Sequence, residues 1–213
     1  MENNLIPLKR LYILFTLLLA NQVPLIGMHK SNNTYRKAQA ISLEDFCKQF
    51  LKDLQDELPC LHAKFDHKEK GLTPFSNEYI SLDYEHVLGI EISMRNGVPF
   101  KIGGFHHDPE YAFRKNGALK FKDTIKARGA FYKSDIFYDG RLLASKSFFP
   151  ASWSRNKVVA KIFEAYKNFE KSGEEPTPLA NGRYRIREKI RGGTIIEMYI
   201  KNGIILTAYP LIG

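Results

Sequence analysis

At 213 residues, with 44% hydrophobic and 13% aromatic residues, the chain can build one sizeable domain plus a smaller attachment, and it contains no internal repeat or low-complexity tract. The net charge of +9 is unevenly placed: residues 1–83 hold ten Lys/Arg against ten Asp/Glu, whereas residues 84–213 hold 22 against 13. The basic part favours a polyanionic partner, nucleic acid or an anionic membrane, and two cysteines at 47 and 60 form no metal-binding CxxC pattern.

In chain order, Lys9 and Arg10 precede the apolar run Leu11–Ala20. That is the pattern of a secretory signal peptide, and the run is short of the roughly 20 residues of a membrane span. Residues 1–27 are therefore expected to be a signal peptide or, since a small-x-small cleavage site is missing, a signal anchor. The protein is expected to be secreted or periplasmic, with no stable membrane association beyond this leader. Residues 28–83 form a linker and a helical N-terminal segment. Within it Ser42 caps a helix through LEDFCKQFLKDLQDEL, where Leu43, Phe46, Cys47, Phe50, Leu51 and Leu54 recur at helical spacing. Pro59 lies just past the expected end. On one helix Cys47 and Cys60 would stand roughly 15–20 Å apart, too far to form a disulfide. HAKFDHKEKGLTPFSNE reads as a polar connection.

From Tyr84 the pattern changes to strands and turns, and residues 84–213 form the main domain. ARGAFYKSDIFYDGRLLASKSFF is two β-rich runs joined at Asp139-Gly140, a hairpin signal. WSRNKVVAKIFEAYKNFEK is a helix capped by Ser154, with Val158, Val159, Ile162, Phe163 and Tyr166 on one face. EKSGEEPTPLANG reads as a loop, and the end of the chain as three strands with turns at Gly192-Gly193 and Asn202-Gly203. The fold class is α+β: antiparallel sheets with flanking helices, preceded by a small helical segment. Trp153, Phe148 and Phe149 read as packing residues. Arg183 to Arg191, RYRIREKIR, reads as a half-buried strand with one basic, solvated face, which in an RNA-binding protein would contact phosphates.

The polar residues with chemical content are His86 in YEHVLG, His106 and His107 in IGGFHHDP, and Lys146 in LASKSFFP. Two histidines and a lysine suit phosphoryl transfer without a metal. One imidazole takes the proton of a ribose 2′-hydroxyl and another protonates the departing 5′-oxygen, since an imidazole pKa of about 6.5 lies near working pH. A lysine ammonium neutralises charge on the phosphorus oxygens, and only RNA supplies the 2′-hydroxyl. Gly103 and Gly104 allow an unusual backbone or a close approach just before the ring that must be aimed. His29, His62 and His67, in polar N-terminal sequence, receive no role.

The ordered blocks EHVLGIEISMRNGVPFKIGGFHH, SKSFFPASWS and GIILTAYP resemble the EndoU endoribonuclease superfamily, above all its bacterial nuclease and toxin domains. The shared signature is an E-H-hydrophobic motif, a Gly-Gly-x-His motif, a lysine before a Ser/Phe-rich strand, and Thr-x-Tyr-Pro near the end. The resemblance spans residues 84–213. It implies His106 as general base, His86 as general acid, Lys146 as the stabilising cation, and Thr207 and Tyr209 as substrate-binding residues. It further implies a 2′,3′-cyclic phosphate and a 5′-hydroxyl product, often at uridine. No metal cofactor is required, with Mn²⁺ left as an optional stimulant. The expected partners are single-stranded RNA or tRNA and, for a toxin, an immunity protein. His107 is the alternative base if the loop is shifted by one residue; neighbouring side chains of extended backbone diverge, which favours His106 alone. The rival reading is an inactive RNA- or partner-binding protein of the same fold, and a third is a basic membrane-binding protein.

Overall fold

The structure, a computed structural model, describes residues 42–65 and 80–212. The expected leader, the linker before residue 42 and most of the polar connection lie outside the described residues. The first element, α1 (Leu43–Phe65), starts at Ser42, whose hydroxyl oxygen accepts from the Asp45 amide. It does not stop at Pro59 but runs through it. Proline removes one backbone hydrogen bond and strains the preceding turn. The offsetting gain is tertiary: the last turns bury Leu61 and set His62 edge-on against Tyr84. Cys47 and Cys60 are both unpaired thiols, as their separation along one helix requires.

A two-residue strand, β1 (Ser81–Leu82), leads into the short helix α2 (Tyr84–Leu88). The hairpin β2 (Ile90–Arg95) and β3 (Val98–Gly104) follows, then α3 (Ala112–Asn116). Next comes the antiparallel meander of β4 (Lys120–Lys126), β5 (Tyr132–Tyr138) and β6 (Arg141–Phe148). The β5–β6 turn is Asp139-Gly140, both residues at positive φ (45° and 73°), the geometry of a two-residue hairpin turn. Helix α4 (Arg155–Ser172) is capped by the Ser154 hydroxyl accepting from the Lys157 amide.

The final sheet has the order β1-β10-β9-β8-β7, with β7 (Thr177–Leu179), β8 (Arg183–Lys189), β9 (Ile195–Lys201) and β10 (Ile204–Leu211). All its pairings are antiparallel except β1 with β10. The expected loop EKSGEEPTPLANG thus contains an edge strand; Pro178 is tolerated there because an edge position need not donate on both sides.

Two apolar cores result. In the larger, α4 lays Val158, Val159, Ile162 and Tyr166 on Ile186, Met198 and Ile200 of the sheet. The smaller surrounds Phe105, Phe113, Tyr132 and Phe148. Helix α1 joins both, giving Leu54 and Leu61 to the first and Phe50 to the second. It is pinned by an ion pair of Glu57 with Arg155 at 2.8 Å, and the guanidinium also lies 5.0 Å from the Phe50 ring. Deleting the Leu54 side chain would cost about 2–5 kcal/mol. The helix is part of the fold that frames the site.

Candidate active site

Helix α2 is only five residues long and is held by its cap. The Asp83 carboxylate accepts from the His86 amide at 3.0 Å, while the Asp83 amide donates to Ile205 O at 2.9 Å. Burial of Tyr84, Val87 and Leu88 turns the opposite side of the helix, with His86, outward.

The chain returns to α2 at the end of β3. Gly104 has φ +55°, and a Cβ there would stand 2.1 Å from the His86 carbonyl oxygen. Phe105 continues at φ 62°, its amide on Gly89 O at 2.8 Å. Positive φ strains a phenylalanine, and the ring offsets that by full burial against Phe113 and Phe148, at 4.8 and 5.3 Å. This turn delivers His106, whose amide donates to Val87 O at 3.2 Å and whose carbonyl accepts from Phe149 at 2.9 Å.

The His106 ring is fixed by two contacts. Nδ1 donates to Ser147 O at 3.0 Å, and the ring stacks on Tyr209 with centroids 4.9 Å apart. Since a carbonyl only accepts, the neutral imidazole carries its hydrogen on Nδ1, which leaves the Nε2 lone pair for proton abstraction. Burial, and after it the Lys146 ammonium, push His106 down to about 3; the Ser147 carbonyl works in the opposite direction, and the His86 charge adds a smaller downward push. The structure thus brings His86, His106 and Lys146 into one electrostatic site. Lys146 lies on β6 opposite the buried Ser134. Burial and then the Lys101 charge lower its pKa, and it makes no ion pair among the described residues. Two neighbouring cations favour an anionic ligand beside them.

Tyr209 is anchored from behind. Its hydroxyl donates to Glu197 Oε1 at 2.5 Å, Tyr199 donates to the same oxygen at 2.8 Å, and Arg187 Nε donates to Oε2. Burial acts to raise the Glu197 pKa, but the hydrogen bonds from Tyr209, Arg187 and Tyr199 outweigh it and hold the carboxyl below its ordinary value. Thr207 stands across from Tyr199 in the sheet, its hydroxyl oxygen shielded from solvent and without a hydrogen bond.

His107 faces elsewhere. It is fully buried, and its Nε2 donates to Trp153 O at 3.0 Å near the start of α4. The divergence of the two rings does not come from strand alternation, because β3 ends at Gly104. Each ring is instead held by a different carbonyl, Ser147 for one and Trp153 for the other. Asp108 is also structural, its carboxylate accepting from the Phe113 amide at 2.9 Å.

A cleft of about 760 Å³ opens between α1, α2 and the β2–β3 hairpin, lined by Lys48, Lys52, Asp83, His86, Glu91 and Gly104 among others. It meets the site at His86 and Gly104, whereas His106 and Lys146 lie outside its lining. No group of three or more His, Cys, Asp or Glu among the described residues is placed to hold a metal.

Sequence reasoning missed Asp83, Lys101, the Ser147 carbonyl and Glu197. Asp83 was legible as an N-cap directly before Tyr84. Glu197 was not, since its partners lie on two other strands and meet it only through their register.

The bacterial EndoU nuclease family model matches residues 83–212. No curated protein matches the chain. Among solved structures, endoribonuclease Nsp15 of Middle East Respiratory Syndrome Coronavirus aligns at 17% identity and a TM-score of 0.43, over 80% of this chain and 41% of its own. XendoU, a splicing-independent snoRNA processing endoribonuclease, aligns at 14% identity and a TM-score of 0.39, over 79% of this chain and 62% of its own. The chain spans less than two thirds of the length of either structure. With the family model covering the helix of His86, the turn of His106, the strand of Lys146 and the final sheet, the chain belongs to the bacterial EndoU nuclease family.

Proposed function

We propose that the protein cleaves single-stranded RNA by internal transesterification, with His106 as general base, His86 as general acid and Lys146 as the charge-stabilising residue. His106 Nε2 takes the proton of the 2′-hydroxyl. The 2′-oxygen bonds to phosphorus as the bond to the 5′-oxygen breaks, and His86 gives that oxygen its proton. The products are a 2′,3′-cyclic phosphate and a 5′-hydroxyl. Lys146, with Lys101 behind it, offsets the charge on the non-bridging oxygens. DNA is not cleaved, because it lacks the nucleophile.

The observation that supports this reading best is the Nδ1 contact of His106 with the Ser147 carbonyl, which sets the tautomer a base needs. The low pKa of His106 keeps it unprotonated at neutral pH, and an arriving phosphodiester raises its basicity by countering the lysine charges. The resemblance assigns Thr207 and Tyr209 to substrate binding, and it separately carries a preference for cleavage at uridine. The leader-like N-terminus supports export, and the same resemblance carries an effector role with tRNA among the targets and a dedicated immunity partner.

The test is purified protein with a uridine-containing oligoribonucleotide, in EDTA and again with Mn²⁺, followed by mapping of the ends. A cyclic phosphate is expected. Intact RNA in both conditions would overturn the enzyme reading, and a 5′-phosphate product would overturn the mechanism.

A further inference from the structure

We propose that the sheet face carrying Tyr209 continues into a binding strip for the sugar–phosphate backbone of single-stranded RNA, formed by Arg185, Arg183 and Lys201. The proposal rests on the endoribonuclease reading above and extends it from the scissile phosphate to the nucleotides beside it.

Register places the strip. Arg185 on β8 pairs with Tyr199 on β9, and Tyr199 pairs with Thr207 on β10. Two inter-strand spacings of about 4.8 Å put the Arg185 backbone about 10 Å from that of Thr207. Side chains alternate along each strand. Ile186, Met198, Ile200 and Ala208 point into the core under α4. Arg183, Arg185 and Arg187 therefore share the opposite face with Glu197, Tyr199, Lys201, Thr207 and Tyr209.

Charge on that face is lopsided. Glu197 is its one carboxylate on β8, β9 and β10, and it is occupied by Arg187 and the two tyrosine hydroxyls. Arg183, Arg185 and Lys201 make no ion pair among the described residues. Three unopposed cations, one of them in line with Thr207, form a track for phosphates that follow the nucleotide lying against Tyr209. Arginine suits this role because its planar fork bonds two phosphate oxygens at once. The basic face of RYRIREKIR, which as a sequence reads only as solvated, is thereby directed at the substrate.

The experiment compares the full chain with Arg185→Ala and Arg185→Gln on two substrates: a uridine-containing dinucleotide with a single phosphodiester, and an oligoribonucleotide of about 12 nucleotides. The ratio of kcat/KM for the oligomer to that for the dinucleotide is expected to fall about tenfold in both variants, with Arg185→Lys restoring part of it. Binding of the same oligomer carrying a 2′-deoxy group at the cleavage position, read by fluorescence anisotropy, should lose about one unit of its log–log salt slope. Melting temperatures show that the variants are folded, and the more conservative Arg185→Gln serves if Arg185→Ala is not. An unchanged ratio with unchanged salt slope would overturn the strip. If the wild-type protein cleaves neither substrate, the endoribonuclease reading falls, while the anisotropy series still decides whether the strip binds RNA.

Discussion

The imidazole of His106 lies on the phenol ring of Tyr209, centroids 4.9 Å apart and planes 25° from parallel, while the Tyr209 hydroxyl is turned to Glu197. The tyrosine therefore supports the face of the imidazole and leaves both ring nitrogens to other work. Nδ1 is bound by the Ser147 carbonyl, and Nε2 keeps its lone pair. The imidazole, its orienting carbonyl and its aromatic support come from three separate elements: the β3–α3 connection, β6 and β10.

The two adjacent histidines should respond differently to substitution. His106→Ala removes the proposed base and should lower kcat by about 10²–10⁴-fold while leaving the protein folded. Lys146→Ala should cost about 10²-fold or more. His107→Gln, which replaces a buried ring held by the Trp153 carbonyl, should reduce stability by about 1–2 kcal/mol and kcat by less than tenfold. Rates on an oligoribonucleotide, with melting curves beside them, check all three. A larger kinetic loss in His107→Gln than in His106→Ala would reverse the assignment.

Gly104 should not tolerate even a methyl group. At φ +55° a side chain is strained, and its Cβ would meet the His86 carbonyl at 2.1 Å. Gly104→Ala is expected to lower stability by about 2 kcal/mol or more and to separate α2 from the His106 turn. Gly103→Ala meets only the flexible Glu91 side chain, at 3.1 Å, and should be much milder. Equal melting temperatures for the two variants would contradict this account.

Glu197 should act through Tyr209. Glu197→Gln keeps the size of the side chain but loses the charge that holds Arg187, and Tyr209→Phe removes the hydroxyl that Glu197 receives. Each is expected to lower kcat about tenfold, and the double variant should lose little more than either alone, since both break the same link. Strict multiplication of the two losses would show that Glu197 does not position the ring.

Acid should destabilise the protein, and the sign follows from three buried groups. His106 and His107 are held at about 3 and about 4, below the ordinary imidazole value, so they contribute stability above about pH 6.5 that is lost as pH falls toward those values. Asp108 opposes them. Burial raises it to about 6, so its contribution is present at low pH and lost as pH rises through about 6. Near pH 5 two unfavourable protons stand against one favourable one, a net slope of about 1.4 kcal/mol per pH unit from these groups. Unfolding by denaturant between about pH 4 and pH 7 measures it, and His107→Gln should flatten the slope. Stability that rises toward acid would contradict the burial of both rings.

Much of the fold is readable in the sequence. The Asp-Gly and Asn-Gly hairpins, the Ser154-capped helix and the alternating strands depend on local dihedral preference and apolar period, which a short window of residues carries. His86, His106 and Lys146 were legible as candidates from their residue types and as an ordered signature, which explains why they could be named although they lie on α2, a turn and β6. What the sequence could not determine is set by distant contacts. Helix α1 passes Pro59 because Leu61 finds a core to enter, and β7 forms because β8 offers it an edge. The His106 and His107 rings part because two carbonyls from separate segments claim them. Glu197 and Arg185 gain meaning only when register sets their strands beside β10. In each case the deciding partner lies far along the chain, and only folding brings it within hydrogen-bonding or packing distance.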